Sequence, residues 1–356
     1  MTGYLRESIQ RQIKQKAIYF LVLCHKKRFN TLSTYRILKI TKNKKAMNKK
    51  TIITAMLLAA LSLSACGSSK KAASKDFVSI TTETTAGEVT KNMNLKNFHA
   101  ISCTGIADIY YTQKGQYQVK LVGSKGLVNS YNCYVEGNTL NIEVKNNRYS
   151  NNGKMRIYVT APYLSDLSST GMITFTSGGI SVKNFQIDVS GTSKINIKKV
   201  DCNRFKLDQS GLGKYQGDIV ARYVDIENMG TSTFEGDIDG GTVKIDNTGM
   251  CKYKGKITAS DIDIDNGGTS NCDATINCGT LNVDNIGMGS MNLKCTASSI
   301  TLDNAGSAKI DINVKTSSLS LSNEGLGRIT ASGEAGETTI EGTAKDKIDT
   351  SALKKY

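Results

Sequence analysis

Acidic side chains that recur at a fixed spacing are the first candidates for chemistry in this sequence. They form a column of one carboxylate per 19 or 20 residues: Asp188, Asp208, Glu227, Asp246, Asp265, Asp284 and Asp303. A basic column follows a few residues later in the same part of the chain: Lys194, Lys214, Lys252, Lys309 and Arg328. Stacked carboxylates repel one another unless cations offset them. Two interpretations stay open, a solvated face balanced by the basic column and an acidic stripe that binds a cation or a partner.

A short acidic run within this region resembles the start of an EF-hand calcium loop. Asp261, Asp263 and Asp265 have the spacing of its first ligands. The sixth position is Asn266 instead of glycine, and the twelfth is Cys272 instead of glutamate. Alternation along a strand would also place the three carboxylates on one face instead of around one ion. We therefore predict no metal site and no cofactor.

Histidine and cysteine offer little material for catalysis. His99 is the only histidine after Cys66, so a histidine-based triad or a Cys/His zinc site lacks ligands. Seven cysteines follow Cys66, an odd number without metal-like spacing: Cys103, Cys133, Cys202, Cys251, Cys272, Cys278 and Cys295. Those at inward positions should behave as small apolar residues. Whether Cys103 pairs with Cys133 stays open.

A sugar-cleaving enzyme is the rival class for a repetitive β-protein. Such enzymes need neighbouring carboxylates at the scissile bond, and binding sites are commonly built on long loops. The sequence has no tryptophan, aromatic residues make up 6% of the chain, and the acids are spread evenly. We predict that the protein is not an enzyme.

The residues above are positioned by a repeat whose clearest member is glycine. It recurs in steps of 20 residues twice and 19 residues six times, at Gly171, Gly191, Gly211, Gly230, Gly249, Gly268, Gly287, Gly306 and Gly325. Apolar residues keep fixed offsets from it, as Val243, Ile245, Tyr253 and Ile257 do around Gly249. Offsets that differ by two lie on one face of a strand. The period predicts an all-β fold, a parallel β-helix with turns of 19–20 residues whose stacking buries these columns.

An asparagine column stands two residues before the glycine in six successive repeats: Asn228, Asn247, Asn266, Asn285, Asn304 and Asn323. Its offset places it inside a corner of the solenoid, where stacked amides can bond to one another and to the turn backbone. We interpret it as a structural ladder, with a ligand-binding amide row as the alternative. The glycine would supply a positive φ or a close approach at the corner.

The residues from 47 to 66 are typical of a bacterial lipoprotein signal. Asn48-Lys49-Lys50 precedes an apolar run at 51–65, and Leu63-Ser64-Ala65-Cys66 resembles a lipobox, in which the cysteine thiol receives a diacylglyceryl group. A short transmembrane anchor is the alternative, but 15 residues fall short of the roughly 20 that span a bilayer. We predict lipid attachment at Cys66.

The predicted processing also explains the basic composition. Residues 1–46 carry 12 Lys and Arg and one acid, and we interpret them as upstream sequence from a misplaced start, with a long n-region as the alternative. The formal charge of +15 falls to +2 after Cys66, so no nucleic-acid footprint remains. We divide the chain into an upstream segment at 1–46, a signal peptide at 47–65, a flexible tether at 66–95, N-terminal β-strands at 96–163, β-helix repeats at 164–345 and a C-terminal tail at 346–356.

Three segments resemble a known family. The sequences Y-V-T-A-P-Y-L at 158–164, V-S-G-T-S at 189–193 and Q-S-G-L-G at 209–213 are similar to the recurring signatures of the head GIN domain family, which is labelled as auto-transporter adhesins and is common in Bacteroidota. The resemblance covers about residue 98 to the end of the repeats. It implies a right-handed parallel β-helix on an exported, often lipidated protein, and it carries over no catalytic or binding residues. Asn228 and its successors replace the serine that the family has before the glycine.

Together these features predict a non-catalytic cell-envelope lipoprotein whose β-helical surface serves binding or adhesion. A structural or assembly role, through self-association of stacked solenoids, is the alternative, and a β-helix enzyme acting on polysaccharide is a remote one. The expected partners are the membrane, through the N-terminal lipid, and an unidentified protein or glycan. Residues 67–71 lack an acidic export run, which favours the periplasmic face of the outer membrane over the cell surface.

Overall fold

The computed structural model describes residues 80–84, 87–145 and 154–355. Cys66, the predicted signal peptide at 47–65, the upstream segment and most of the tether lie outside the described residues. Among the helices that are described, none is long and apolar enough to cross a membrane.

The first part of the described chain is a set of short strands with one helical turn. Its elements are β1 (Ile80–Thr84), β2 (Glu88–Met93), β3 (Ala100–Cys103), β4 (Ile106–Gln113), β5 (Gln118–Ser124), α1 (Lys125–Ser130), β6 (Tyr131–Glu136), β7 (Thr139–Val144), β8 (Met155–Ala161), β9 (Asp166–Ser169) and β10 (Met172–Ser177). Strands β1, β2, β5 and β8 pair antiparallel in that order, and β6 forms an antiparallel hairpin with β7. Strands β3 and β4 run parallel to β9 and β10, so this part continues directly into the repeats.

The repeats form the rest of the chain. Their strands are β11 (Ile180–Val189), β12 (Thr192–Gln209), β13 (Leu212–Asn228), β14 (Thr231–Glu235), β15 (Ile238–Asn247), β16 (Met250–Asn266), β17 (Thr269–Asn285), β18 (Met288–Asn304), β19 (Lys309–Asn323), β20 (Arg328–Glu341) and β21 (Ile348–Lys355). Each pairs in parallel with its equivalent in the next turn. The predicted parallel β-solenoid is confirmed, with about 10 turns of about 19 residues. At 346–356, where the sequence suggested a tail, β21 pairs in parallel with β20.

The core consists of the apolar columns that the period predicted. Val243, Ile245 and Ile257 are buried, and each lies beside its equivalent in the next turn. The aromatic members stack: the rings of Tyr215 and Phe234 are nearly parallel with centroids 4.9 Å apart, and those of Phe234 and Tyr253 follow at 5.2 Å. Offset aromatic stacking adds roughly 0.5–1.5 kcal/mol to the burial of each pair. The stacked turns are therefore held by contacts between like residues of successive repeats.

The seven cysteines of the described residues are all free thiols. Cys103 of β3 and Cys133 of β6 both pair with Ile142, from opposite sides of β7. Two strand spacings, roughly 9.6 Å, therefore separate their backbones, which is too far for a disulfide. Burial raises the pKa of the Cys133 thiol to about 12, so it is an apolar core residue at neutral pH.

Candidate functional site

The asparagine column lies inside the glycine corner, where all six side chains are buried. The amide of Asn228 donates to Asn247 Oδ1 at 2.9 Å, and the amide of Asn304 donates to Asn323 Oδ1 at 2.9 Å. Asn285 accepts from the Asn266 amide and donates to Asn304 Oδ1 at 2.7 Å. The described bonds join Asn228 to Asn247 and Asn266 through Asn285 and Asn304 to Asn323, whereas none joins Asn247 to Asn266, whose Oδ1 is buried without a partner. The side chains are buried inside the corner and do not form part of its outer surface.

The glycines form the outer surface of the same corner, and their close stacking requires them. A Cβ added to Gly191 would lie 1.9 Å from the carbonyl oxygen of Gly171, and a Cβ on Gly230 would lie 2.0 Å from that of Gly211. None of these glycines has a positive φ, so close approach is the reason for the residue type. Each carbonyl accepts from the turn that follows, as Gly211 O does from Thr231 N at 3.0 Å.

The missing side chains leave a groove along the corner. Its floor runs from Gly105 through the repeat glycines to Gly287, seven steps of about 4.8 Å or roughly 34 Å in length, and its volume is about 1090 Å³. The residue before each glycine lines one side and the residue after it lines the other. We call these two sides the leading rim and the trailing rim.

The trailing rim carries large exposed apolar side chains in every second turn. They are Met172 (49% exposed), Leu212 (58%), Met250 (59%) and Met288 (59%), and the same position two turns beyond the groove carries Leu326 (81%). The turns between them carry small hydroxyl residues: Thr192, Thr231, Thr269 and Ser307. The leading rim is mostly small, with Met229 and Ile286 as its exposed large members. A line of exposed large apolar side chains along one groove is a candidate interaction site.

The predicted acidic stripe lies on the flank next to the leading rim, and lysines of its own strands contact it. Lys206 bonds to Asp208 and lies 3.4 Å from Glu227 Oε1. Lys244 lies 3.5 Å from Asp246 Oδ2 and 3.4 Å from Asp265 Oδ2. Asp284 and Asp303 complete the stripe as exposed side chains at the same register. The stripe is thus a mixed-charge surface along much of its length.

Two lysines of the basic column across the corner pair with acids outside the stripe. Lys214 pairs with Glu235 at 2.6 Å, and Lys309 pairs with Asp311 at 2.7 Å, both on the far side of the corner from the stripe. The bend at the glycine directs the two columns to different faces, so each finds partners on its own side. Burial raises the pKa of Asp208 and of Asp246 above the ordinary range.

No described group of three His, Cys, Asp or Glu side chains could hold a metal ion. Asp261, Asp263 and Asp265 alternate with the buried Ile262 and Ile264 and therefore share the outer face of one strand. Carboxylates in such a row do not converge on one ion, which requires oxygens from several directions.

His99 lies in a small polar group at the start of the solenoid. Its Nδ1 is 2.8 Å from Ser165 Oγ, which also donates to Asp166 Oδ2 at 2.6 Å. In a catalytic triad the imidazole lies between the hydroxyl and the acid, so that it can take the proton of the nucleophile. Here the hydroxyl lies between the other two, with the Asp166 carboxylate and, at 3.1 Å, the His99 backbone oxygen as its acceptors, so the three groups do not stand in the order of a triad. The arrangement fixes the turn before β9 and does not activate Ser165.

The rims were not singled out by sequence reasoning, although their signal is present in the sequence. The residue after the glycine alternates between large apolar and small hydroxyl types from Met172 to Leu326. This period of two turns has no role in the core, because the position points outward. An outward position that keeps exposed methionine and leucine is unusual enough to draw attention.

Comparison with known proteins gives one family and several solved structures. Residues 97–249 match the family described as "Putative auto-transporter adhesin, head GIN domain". The predicted resemblance to this family is therefore confirmed over those residues. No curated protein matches the chain.

Three of the similar solved structures come from Bacteroides and Parabacteroides species. A "putative adhesin" from Bacteroides fragilis NCTC 9343 is 16% identical, with 72% of this chain and 96% of that chain covered and a TM-score of 0.40. A "putative lipid binding protein" from Parabacteroides distasonis ATCC 8503 is 17% identical, with 76% and 98% covered and a TM-score of 0.37. A "putative adhesin" from Parabacteroides merdae ATCC 43184 is 14% identical, with 73% and 97% covered and a TM-score of 0.39.

Proposed function

We propose, from the head GIN match at residues 97–249, that this protein is a non-catalytic cell-envelope lipoprotein that binds a partner through the glycine-corner groove. The observation that carries the proposal is the line of exposed Met172, Leu212, Met250 and Met288 along a groove of roughly 34 Å. Each large apolar side chain gains roughly 1.5–3 kcal/mol when it leaves water completely. Four such residues in one line supply enough surface for a specific contact.

The expected partner is a protein or a glycan. The charge of +2 after Cys66 provides no excess of cations for nucleic acid. The absence of catalysis is supported by the pairing of the acidic stripe with Lys206 and Lys244 and by the geometry around Ser165.

Attachment to the envelope is part of the proposal. Two or more acyl chains on Cys66, at about 0.8 kcal/mol per buried CH₂, would hold the protein stably on a membrane. The residues after Cys66 favour the periplasmic face of the outer membrane. Metabolic labelling with an alkyne fatty acid should mark the native chain and not Cys66→Ser. Protease treatment of intact cells that released the domain would contradict the periplasmic placement.

The binding role is tested by removing the rim side chains. The full chain and a Leu212→Ser, Met250→Ser variant are applied to immobilised glycans and matrix proteins, with Lys294→Ser, an exposed change elsewhere on the solenoid, as the control. We expect the double variant to lose most of the binding and the control to keep it. Equal binding by all three proteins would exclude the groove as the binding surface. Turnover of any glycan would show that the protein is an enzyme.

A further inference from the structure

We infer that the partner in the groove is a second copy of this chain, lying parallel to the first and related to it by a two-fold axis along the solenoid. This inference rests on the proposed function, since it names the partner of the same groove. A two-fold axis in this direction places each turn opposite the same turn of the second copy. It also exchanges the two rims, so that a leading rim faces a trailing rim.

The shapes of the rims fit this exchange. At the turn of Gly211, Ser210 of one copy would face Leu212 of the other, and at the turn of Gly249, Thr248 would face Met250. The turn of Gly230 has the opposite arrangement, with the large residue on the leading rim and a threonine on the trailing rim. The exchange therefore again brings a large residue against a small one. Interfaces need this kind of local complementarity to reach the packing of a protein interior.

One turn of the groove has large residues on both rims. Ile286 and Met288 flank Gly287, and their side chains would meet across the two-fold axis. The preceding turn has the smallest pair of the groove, Gly267 and Thr269. The space above that pair accommodates the extra volume, because the two turns lie about 4.8 Å apart.

The charges beside the rims lead to the same orientation. The flank before the leading rim carries the acidic stripe, and the flank after the trailing rim carries the basic column. At four turns an acid and a base occupy equivalent levels: Asp188 with Lys194, Asp208 with Lys214, Asp246 with Lys252, and Asp303 with Lys309. The proposed axis places the acid of one copy opposite the base of the other. An antiparallel arrangement would place acids against acids, which is unfavourable.

Two features of the groove disfavour other occupants. A strand from another protein would need free backbone groups, but the floor carbonyls already accept bonds, as Gly230 O does from Met250 N at 2.9 Å. An anionic membrane would be repelled by the acidic flank, which borders the groove along six turns. A second copy needs no free backbone groups, and its basic column would face the acidic flank.

Cysteine cross-linking of the full chain tests the arrangement. Residue 250 of one copy would lie at the same level as residue 250 of the other, across the two-fold axis, so Met250→Cys should form a dimer with a bis-maleimide that spans the two trailing rims. Lys294→Cys, which is exposed on another face, should stay monomeric under the same conditions, as should the native chain. Equal cross-linking at positions 250 and 294, or none at 250, would overturn the inference.

A charge exchange tests the orientation independently of the cysteine. In the Met250→Cys background, Lys194→Asp would place Asp188 of each copy opposite a second carboxylate on the other copy, so each dimer would contain two pairs of like charges. From the weak energy of exposed pairs we expect cross-linking to fall about fivefold. Adding Asp188→Lys should restore it, because the pair is then reversed. A parallel dimer is excluded if the single change has no effect, or if the double change fails to restore cross-linking.

These experiments separate a failure of the dimer from a failure of the groove as a binding surface. If the Leu212→Ser, Met250→Ser variant loses binding to coated surfaces while Met250→Cys does not cross-link, the groove binds a different molecule and only this inference fails. If Met250→Cys forms the dimer while that variant still binds the coated surfaces, the groove joins two copies and adhesion uses another face.

Discussion

Two adjacent glycines at one corner should respond in opposite ways to the same substitution. A Cβ on Gly268 would lie 2.0 Å from the carbonyl oxygen of Gly249 and 2.8 Å from the carbonyl carbon of Thr248. A Cβ on Gly267 would have its nearest neighbours at 3.8 Å, which is ordinary van der Waals contact. Neither residue has a positive φ, so backbone conformation does not separate them. Gly268→Ala and Gly267→Ala therefore differ in packing alone.

The magnitudes follow from what each new methyl meets. The oxygen in the way of Gly268→Ala accepts a bond from Thr269 N at 3.0 Å, so the turns can separate only by weakening the ladder. Overpacking of this kind costs roughly 1–3 kcal/mol, and we expect about 3 because the obstacle is backbone. Gly267→Ala should instead stabilise by roughly 0.4–1 kcal/mol, because alanine reduces the conformational freedom of the unfolded chain.

Urea unfolding of the full chain, followed by circular dichroism, measures both effects. With a slope of about 3 kcal/mol per molar urea, the midpoints of the two variants should differ by about 1 M, with the native chain between them. A Gly268→Ala midpoint equal to that of Gly267→Ala would refute the conclusion that close stacking requires the glycine column.

Three further predictions concern the ladder, the stripe and the thiols. Asn285→Ala should cost about 3 kcal/mol in urea unfolding, because the amide groups on both sides of it lose their partner, whereas the exposed Asn282→Ala should cost little. The pKa of Asp246 is raised by burial and by its bond to the Asp265 carboxyl, so the folded state binds more protons than the unfolded chain and stability falls as pH rises past the ordinary aspartate range. Asp246→Asn removes this loss, so the urea midpoint of the variant should exceed that of the native chain by more at pH 7 than at pH 4. Burial raises the pKa of Cys133 and Cys295, so iodoacetamide at pH 8 should label them only after unfolding, as mass spectrometry of peptides can show.

The parallel solenoid and its ladder could be predicted because stacking makes each side chain meet its own equivalent. In such a fold, residues that are one period apart in the sequence lie beside each other in the core. Val243 lies beside Ile262, and Asn247 beside Asn266, as an offset of 19 requires. Because the core contacts of the solenoid join equivalent positions of neighbouring turns, the position of a residue in the repeat identifies its neighbours.

The N-terminal strands lacked this advantage. Strands β2, β5 and β8 pair antiparallel, and their contacts join segments that share no repeat. The sequence predicted β-strands at 96–163, where β4 and β7 are found, but the alternation of residues along a strand does not indicate which strand is its neighbour. The same limit applies to Lys214 and Lys309, since an offset along the chain does not give the angle at which a corner turns.

The groove illustrates a difference between features that folding requires and features that it leaves free. Its floor exists because Gly191, Gly230 and their equivalents cannot carry a Cβ, so any solenoid with this corner would have a furrow there. The floor alone is therefore no evidence of function. The rims are different, because Met250 and Leu212 point to solvent and could be polar at no cost to the core. Their exposure lowers solubility without adding packing, so a reason for them has to lie outside the folded chain. The alternation of large and small residues along the rim is the part of the sequence that the fold does not explain, and it is where the partner should be sought.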